Sequence, residues 1–418
     1  MSLPNSPSKT ISTAWLIVML LIPVALLNYL DRQMLASMKS SIMSDIPSIG
    51  TNQNWGYMLG QFKWVYAFLS PFAGFMADRY SRRLTICCSL FVWSAVTFWT
   101  GHVETYRELL LARSLMGFSE AFYVPAALAL ISDYHFGHTR SRAIGLHQMG
   151  MYFGQIAGGF GGYVAGSAVL GWRVAFDACG ILGMFYAIPL ALILRDAPRS
   201  TLTNTESVKP KKLSPGRALS ELFSNLSYIL LVLYFTLPAL AGWVVRDWMP
   251  AILQERYNIS QGKAGVSATL YWQVAAVIGA IIGGYLADRW MKRTKRGRIH
   301  ASAFGMCLIV PAVFGVGNAE SLTVAVLFLI LFGLGWGFFD CNNMPILCQI
   351  VRPELRATGY GFMNLVSISC GGLADWGFGR LRDQHVPIGM IFGIFACTAI
   401  FSVILVLLIK PRDEVAKV

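Results

Sequence analysis

The residues of this 418-residue sequence with the types and spacing to do chemistry are ionisable side chains set inside otherwise apolar runs. In Leu109 to Asp133, LLLARSLMGFSEAFYVPAALALISD, Arg113 and Glu120 stand seven residues apart. That is almost two helical turns, so both project from one face. Gly117 between them keeps the face low enough for a helix or a ligand to approach the charges. Ionisable groups are costly in a bilayer and tend to face the interior, find a partner and mark a substrate or ion path. The expectation is a helix lining a transport path, with Glu120 as proton carrier and Arg113 as anion anchor. An Arg–Glu pair that only joins two helices is the simpler alternative.

The same chemistry recurs elsewhere. NYLDR in the first apolar run places Asp31 beside Arg32. Helical neighbours point about 100° apart, so Asp31 can meet one helix while Arg32 faces a cavity. Burial disfavours a carboxylate's charge and a nearby cation favours it. A substrate anion that captures the cation therefore alters proton affinity, which is a physical basis for coupling. QFKWVYAF brings Gln61, Lys63 and Tyr66 within two turns, for binding a carboxylate and a hydroxyl; a lysine reaching solvent is the equal alternative for Lys63. His147 and Gln148 open the fifth run, Gln148 as a substrate contact and His147 as a satisfied histidine near the boundary. In the tenth run Trp336, Asp340, Asn342 and Asn343 offer an aromatic wall and hydrogen-bonding groups for a polyhydroxylated ligand, and Asp375 with Trp376 is a weaker version. Gly74, Asp78, Arg79, Arg83 and Asp133 are gating candidates, with Asp288 and Arg289 as their copy.

The elements that must position these residues are long apolar runs. The chain is 55% hydrophobic and 13% charged, with a mean hydropathy of +0.55, a balance foreign to soluble domains. Runs long enough to cross a hydrocarbon core of about 30 Å recur at 14–38, 54–78, 83–101, 107–133, 141–168, 172–194, 225–256, 262–289, 298–317, 321–350, 356–380 and 386–410. The polar stretch 195–224 divides them six and six. An all-α membrane protein is expected, of twelve transmembrane helices in two pseudo-symmetric six-helix bundles: 1–194, a cytoplasmic linker 195–224, and 225–418. Of 34 Lys and Arg, 23 fall on the side of the termini, 7 on the other and 4 inside runs. That asymmetry predicts cytoplasmic termini and explains the net charge of +13 without nucleic acid. The eight cysteines lack disulfide or zinc spacing, and the first run reads as an ordinary span without a cleavage site.

The halves repeat. GFMADRYSRR at Gly74 returns as GYLADRWMKR at Gly284, displaced by 210. Arg113, Gly117, Glu120, Ala121 and Pro125 line up with Gly333, Gly337, Asp340, Cys341 and Pro345, displaced by 220, and RAIG at Arg142 matches RATG at Arg356. Parallel repeats with a site between them are a transporter plan. Because Arg113 becomes Gly333 and Lys63 becomes Gln273, the N-terminal half is expected to hold most of the ion-coupling chemistry. Gly150, Gly154, Gly158, Gly162 and Gly166 in the fifth run, and Gly279, Gly283 and Ala287 in the eighth, form small-residue ridges for close helix packing.

On these motifs the chain resembles the major facilitator superfamily over nearly its whole length. GxxxDRxxxRR at Gly74 is similar to that family's loop motif, with Ser81 where glycine is usual. NYLDR together with RSLMGFSEAFYVPA is similar to the anion:cation symporters, and also to spinster-type lipid carriers. The symporter resemblance implies proton-coupled movement of a carboxylated substrate, with Asp31 and Glu120 as protonation sites and Arg32 or Arg113 engaging the anion. The expected function is proton-coupled symport of a small organic anion such as a hexonate or hexuronate, with a lysolipid or sphingoid transporter as the alternative. No H-E-x-x-H, G-x-S-x-G or P-loop pattern argues for an enzyme. The expected partners are an anionic small molecule and the lipid bilayer, with the proton as coupling ion, no other cofactor, no nucleic acid, and a monomer in a bacterial plasma membrane.

Overall fold

The computed structural model describes residues 7–135, 138–196 and 215–412, and among these residues there is no strand. The N-terminal helices are α1 (Pro7–Ser37), α2 (Lys39–Asp45), α3 (Asn52–Arg79), α4 (Arg82–Thr100), α5 (Tyr106–Glu120), α6 (Tyr123–Tyr134), α7 (His138–Gly159), α8 (Gly161–Ala165) and α9 (Gly171–Ile193). After them come α10 (Pro215–Phe223), α11 (Leu226–Tyr257), α12 (Gln261–Met291), α13 (Gly297–Asn318), α14 (Leu322–Ile350), α15 (Arg356–Asp383) and α16 (Ile388–Leu408). Among the described residues nine spans are long and apolar enough to cross a membrane: in α1, α4, α5 with α6, α9, α11, α12, α13, α14 and α16. The other long helices, α3, α7 and α15, have 28, 22 and 28 residues and mix polar groups into the apolar pattern. Lipid offers no partners to a bare backbone, so intrahelical hydrogen bonding is what lets such segments span it.

The chain forms two compact units: Met1–Gly50, Gln61–Leu202 and Ile259–Val266 in the first, Thr51–Gly60, Thr203–Asn258 and Ser267–Val418 in the second. The first turns of α3 and of α12 thus belong to the opposite unit from the rest of each helix. Within the first unit the broadest packing is α1 on α7 and α4 on α9, followed by α4 on α5. Within the second it is α13 on α14 and on α16, and α11 on α15. Matched in chain order, these are the same pairings, as the repeated motifs require. In the polar stretch, Pro198, Lys209, Pro210, Lys211 and Lys212 lie outside the described residues, whereas Pro215 opens α10.

Two expected runs are interrupted. The fifth run is expected to carry five glycines along one ridge, but α7 ends at Gly159. A Cβ added at Gly150, Gly154 or Gly158 would lie 2.8, 2.2 or 2.5 Å from the carbonyl oxygens of Ile22, Leu26 and Leu30 on α1. These three are the close approach. Gly162 meets Gln261 instead, and Gly166 meets only the preceding turn. Gly154→Ala is therefore expected to force α1 and α7 apart and destabilise the protein by about 1–3 kcal/mol. A lowered melting midpoint in detergent checks this, and an unchanged midpoint refutes it. In the second unit Gly279 and Gly283 approach Leu334 and Phe338 of α14 in the same way.

The fourth run breaks at Ala121–Phe122, one residue beyond Glu120. Pro125 has no N–H to give the Ala121 carbonyl and its ring crowds that carbonyl, so the helix cannot run through undisturbed.

Candidate functional site

The ionisable residues of α1, α3 and α5 converge inside the first unit. Glu120 is fully buried, and its Oε2 accepts from Arg32 Nε at 2.6 Å and lies 2.5 Å from Nη2. The buried ion pair is therefore between Arg32 and Glu120, helix to helix, although Arg113 shares a face with Glu120. Arg32 is also held by aromatic faces: its guanidinium carbon lies 5.0 Å from the Tyr29 ring centroid, 4.6 Å from Phe62 and 5.0 Å from Tyr66. The Arg113 guanidinium lies 4.7 Å from the same Phe62 ring, so one aromatic ring serves two cations. Asp31 does point elsewhere than Arg32. It is 2% exposed, and its Oδ2 accepts from the Thr97 hydroxyl of α4.

Lys63 is 3% exposed and Arg113 2%, which decides against a lysine reaching solvent. Gln61 donates to Ser114 Oγ at 3.1 Å, tying α3 to α5, and the Tyr66 ring packs against Arg32. Gly117 acts as the sequence suggests, since a Cβ there would come 2.6 Å from the Phe62 carbonyl oxygen. One turn beyond Glu120, the Tyr123 hydroxyl meets His147 Nε2 at 2.8 Å and the Leu21 carbonyl at 3.1 Å. His147 is fully buried among α1, α6 and α7, while Gln148 is only half-buried.

In the second unit the tenth-run residues divide. Trp336 packs its ring so closely on Gly242 of α11 that a Cβ there would lie 2.4 Å from it. Asn342 turns back to the Phe338 carbonyl of its own helix at 3.0 Å. Asn343 is buried, and neither atom of its amide has a hydrogen-bond partner among the described residues. Asp340 is exposed and lies within electrostatic reach of Arg246. Asp375 is buried, and Trp376 stacks with Arg380.

At the turn between α3 and α4 Ser81 caps α4: its Oγ accepts from Leu84 N–H at 3.1 Å and donates to Asp196 Oδ2 at 2.5 Å. A serine in the glycine's place thus supplies an N-cap. Asp133 pairs with Arg82. Arg83 instead donates its backbone N–H to Asp196 at 2.9 Å and its guanidinium to the Ala191 carbonyl at the end of α9. The second unit repeats the latter device, with Arg296 donating to the Leu407 carbonyl at the end of α16, so basic side chains satisfy the last helical carbonyls in both. Asp288 lies 3.7 Å from Arg298, and Arg289 is exposed. Gly74, Asp78 and Arg79 fall in α3, but their side chains lie outside the described residues.

Sequence reasoning passed over Thr97, Phe62, Tyr29 and Tyr123, all ordinary residues whose role depends on which helix packs where. It also passed over Arg246, for which a signal existed. Arg246–Asp247 is a charged pair inside the seventh run, displaced by 215 from Asp31–Arg32, and Arg246 stacks on Trp243 at 4.8 Å. Among the described residues no group of three or more His, Cys, Asp or Glu is placed to hold a metal ion.

Long apolar helices in two repeated units, carrying a buried ionisable cluster in place of a catalytic constellation, define a membrane transporter. A family model described as Major Facilitator Superfamily matches residues 21–375, and the chain belongs to that superfamily. Similar relatives include Protein spinster homolog 1 of Xenopus tropicalis, 27% identical over 88% of this chain and 73% of that protein. The Probable L-galactonate transporter of Escherichia coli K12 is 25% identical over 91% and 85%. Among solved structures, an inward-facing, unoccupied bacterial homologue of the human lysosomal transporter Spinster superposes with a TM-score of 0.78 at 20% identity, covering 96% of this chain and 95% of that one. A D-xylose–proton symporter superposes with a TM-score of 0.76 at 14% identity, covering 96% and 98%. At these identities the superpositions speak for the fold.

Proposed function

We propose that this transporter moves a small organic anion, a sugar acid such as a hexonate or hexuronate, together with protons by alternating access. The observation that carries this reading is the buried Arg32–Glu120 pair with Asp31 and Arg113 in electrostatic reach of it. A cation already paired with a carboxylate can exchange that partner for a substrate carboxylate. Glu120 is then left buried without its counter-charge, a state that costs several kcal/mol and that a proton relieves. Release of the anion returns Arg32 to Glu120 and expels the proton. Asp31, bonded to Thr97, is the second protonation site. Arg113, Lys63 and Tyr66, with Gln148, Trp336, Asn342 and Asn343, engage the substrate, and the residues of the DR turns gate access. The name of the galactonate relative supports a sugar-acid substrate. The carrier works as a monomer in a bacterial plasma membrane with both termini in the cytoplasm.

The relatives named spinster favour a second reading, a lysolipid or sphingoid carrier built on the same fold. Uptake of labelled sugar acids into proteoliposomes, with and without an inward proton gradient, separates the two. Gradient-stimulated entry of one acid supports symport, whereas movement of a fluorescent lysolipid with no acid transported overturns it.

A further inference from the structure

Among the buried polar atoms of the first unit that lack a hydrogen-bond partner within the described residues are Asp31 Oδ1, both amide atoms of Asn28, Glu120 Oε1 and His147 Nδ1. Each belongs to a residue at most 2% exposed. Buried polar groups in native proteins are satisfied by protein or by ordered water, and a bare one costs about 1–3 kcal/mol. Ordered water, which needs two to four polar partners, is the kind of ligand that such orphans can hold.

The residues that carry these atoms are linked by helical spacing and by two side-chain contacts. Asn28 lies three and four residues before Asp31 and Arg32, so it is one turn away on their side of α1. The glycines of α7 occupy the opposite side, over Ile22, Leu26 and Leu30. Glu120 is clamped to Arg32, one turn from Asn28. Tyr123 lies one turn beyond Glu120 and bonds both the Leu21 carbonyl, two turns of α1 below Asn28, and His147. Because the single Tyr123 hydroxyl proton goes to Leu21, His147 Nε2 carries the hydrogen that meets the tyrosine oxygen. Its Nδ1 is then a lone pair facing the interior.

We propose that Asp31, Asn28, Glu120 and His147 hold a file of ordered water that carries the coupled proton between Glu120 and the end of the span where α6 finishes. This rests on the proton-coupled reading above. In each hop one O–H or N–H bond breaks as another forms: the Glu120 carboxylic acid protonates a water, that water gives up one of its own protons to His147 Nδ1, and the imidazolium releases a proton to water on the side where α6 finishes. The charged and titratable groups in electrostatic reach of these residues, or of Tyr123 on α6 that bonds His147, are Arg32 and Tyr29 on α1, Tyr66 on α3, Arg113 on α5, and Cys179 and Tyr186 on α9. Asn28 itself carries no charge, so its role is to hold water and not to titrate.

The test uses the full-length carrier in proteoliposomes with a trapped pH dye, following acid entry driven by a sugar acid, with substrate counterflow measured in parallel. Asn28→Leu and His147→Leu are expected to slow substrate-driven acidification about tenfold or more while counterflow stays within about twofold. Asn28→Ser, which can still bind water, is expected to recover proton entry. Leucine variants that acidify at the wild-type rate overturn the water file alone. So does loss of counterflow together with proton entry that serine does not relieve, since that marks a packing defect. A wild-type carrier that moves substrate without acidification overturns both the file and the symport reading.

Discussion

Glu120→Gln is expected to abolish accumulation of substrate against its gradient while leaving exchange of labelled for unlabelled substrate in place. Glutamine keeps the shape and one acceptor for Arg32 Nε, but it can neither hold a negative charge nor take up a proton. Breaking a buried pair by removing one partner costs about 3–5 kcal/mol because it leaves an uncompensated charge. The acceptor that glutamine retains and the aromatic faces of Tyr29, Phe62 and Tyr66 over Arg32 reduce that cost. Enough folded carrier should therefore remain for exchange to be measured. Gradient-driven uptake should fall by about a hundredfold or more, to the rate seen with no gradient. If the variant still concentrates substrate under a proton gradient, Glu120 is not the coupling carboxylate. Glu120→Asp, shorter by one methylene but still titratable, should retain some of the driven uptake, which a purely structural role would not require.

Arg113→Gln is the second large effect. Arg113 is buried beside Phe62, and its charge acts on both Asp31 and Glu120. A charge-assisted hydrogen bond to a substrate carboxylate contributes about 1.5–3 kcal/mol, so its loss should weaken binding of a sugar acid by roughly 10- to 150-fold. Arg113→Lys keeps the charge without the planar fork and should fall between. Calorimetric titration of the purified carrier with a sugar acid, and with the neutral sugar of the same skeleton, reads this out. Equal weakening for both ligands would assign Arg113 to packing and remove it from anion recognition.

The sequence was most legible where burial of charge made a residue expensive. Asp31, Arg32, Lys63, Arg113 and Glu120 stand out because each sits in a run that otherwise avoids charge, and all five lie in the first unit. Their partnership was not legible. One helix offered Arg113 to Glu120 by spacing, yet Arg32 from another helix takes it, because a same-face relation on one helix carries no information about what packs against that face. The aromatic seats of Arg32 and the Thr97 hydroxyl on Asp31 escaped for the same reason. The repeat was readable from short motifs, and the paired packing of α1 on α7 and α11 on α15 is its structural expression. The break at Ala121–Phe122 was within reach, since Pro125 aligns with Pro345. That alignment is also what concealed it: α14 runs unbroken through Pro345, so a proline at the same place does not interrupt every copy.

The break gives the first unit a lever that the second lacks. α6 has twelve residues and is about 18 Å long, so a tilt of roughly 10° at Ala121–Phe122 displaces its far end by about 3 Å. Glu120 sits at the fulcrum, and the ion pair between Asp133 and Arg82 lies at the tip. A change of an ångström or less beside the buried carboxylate is thus magnified into one large enough to pull a pair of opposite charges apart at the membrane surface, while α5 keeps its hold on Arg32.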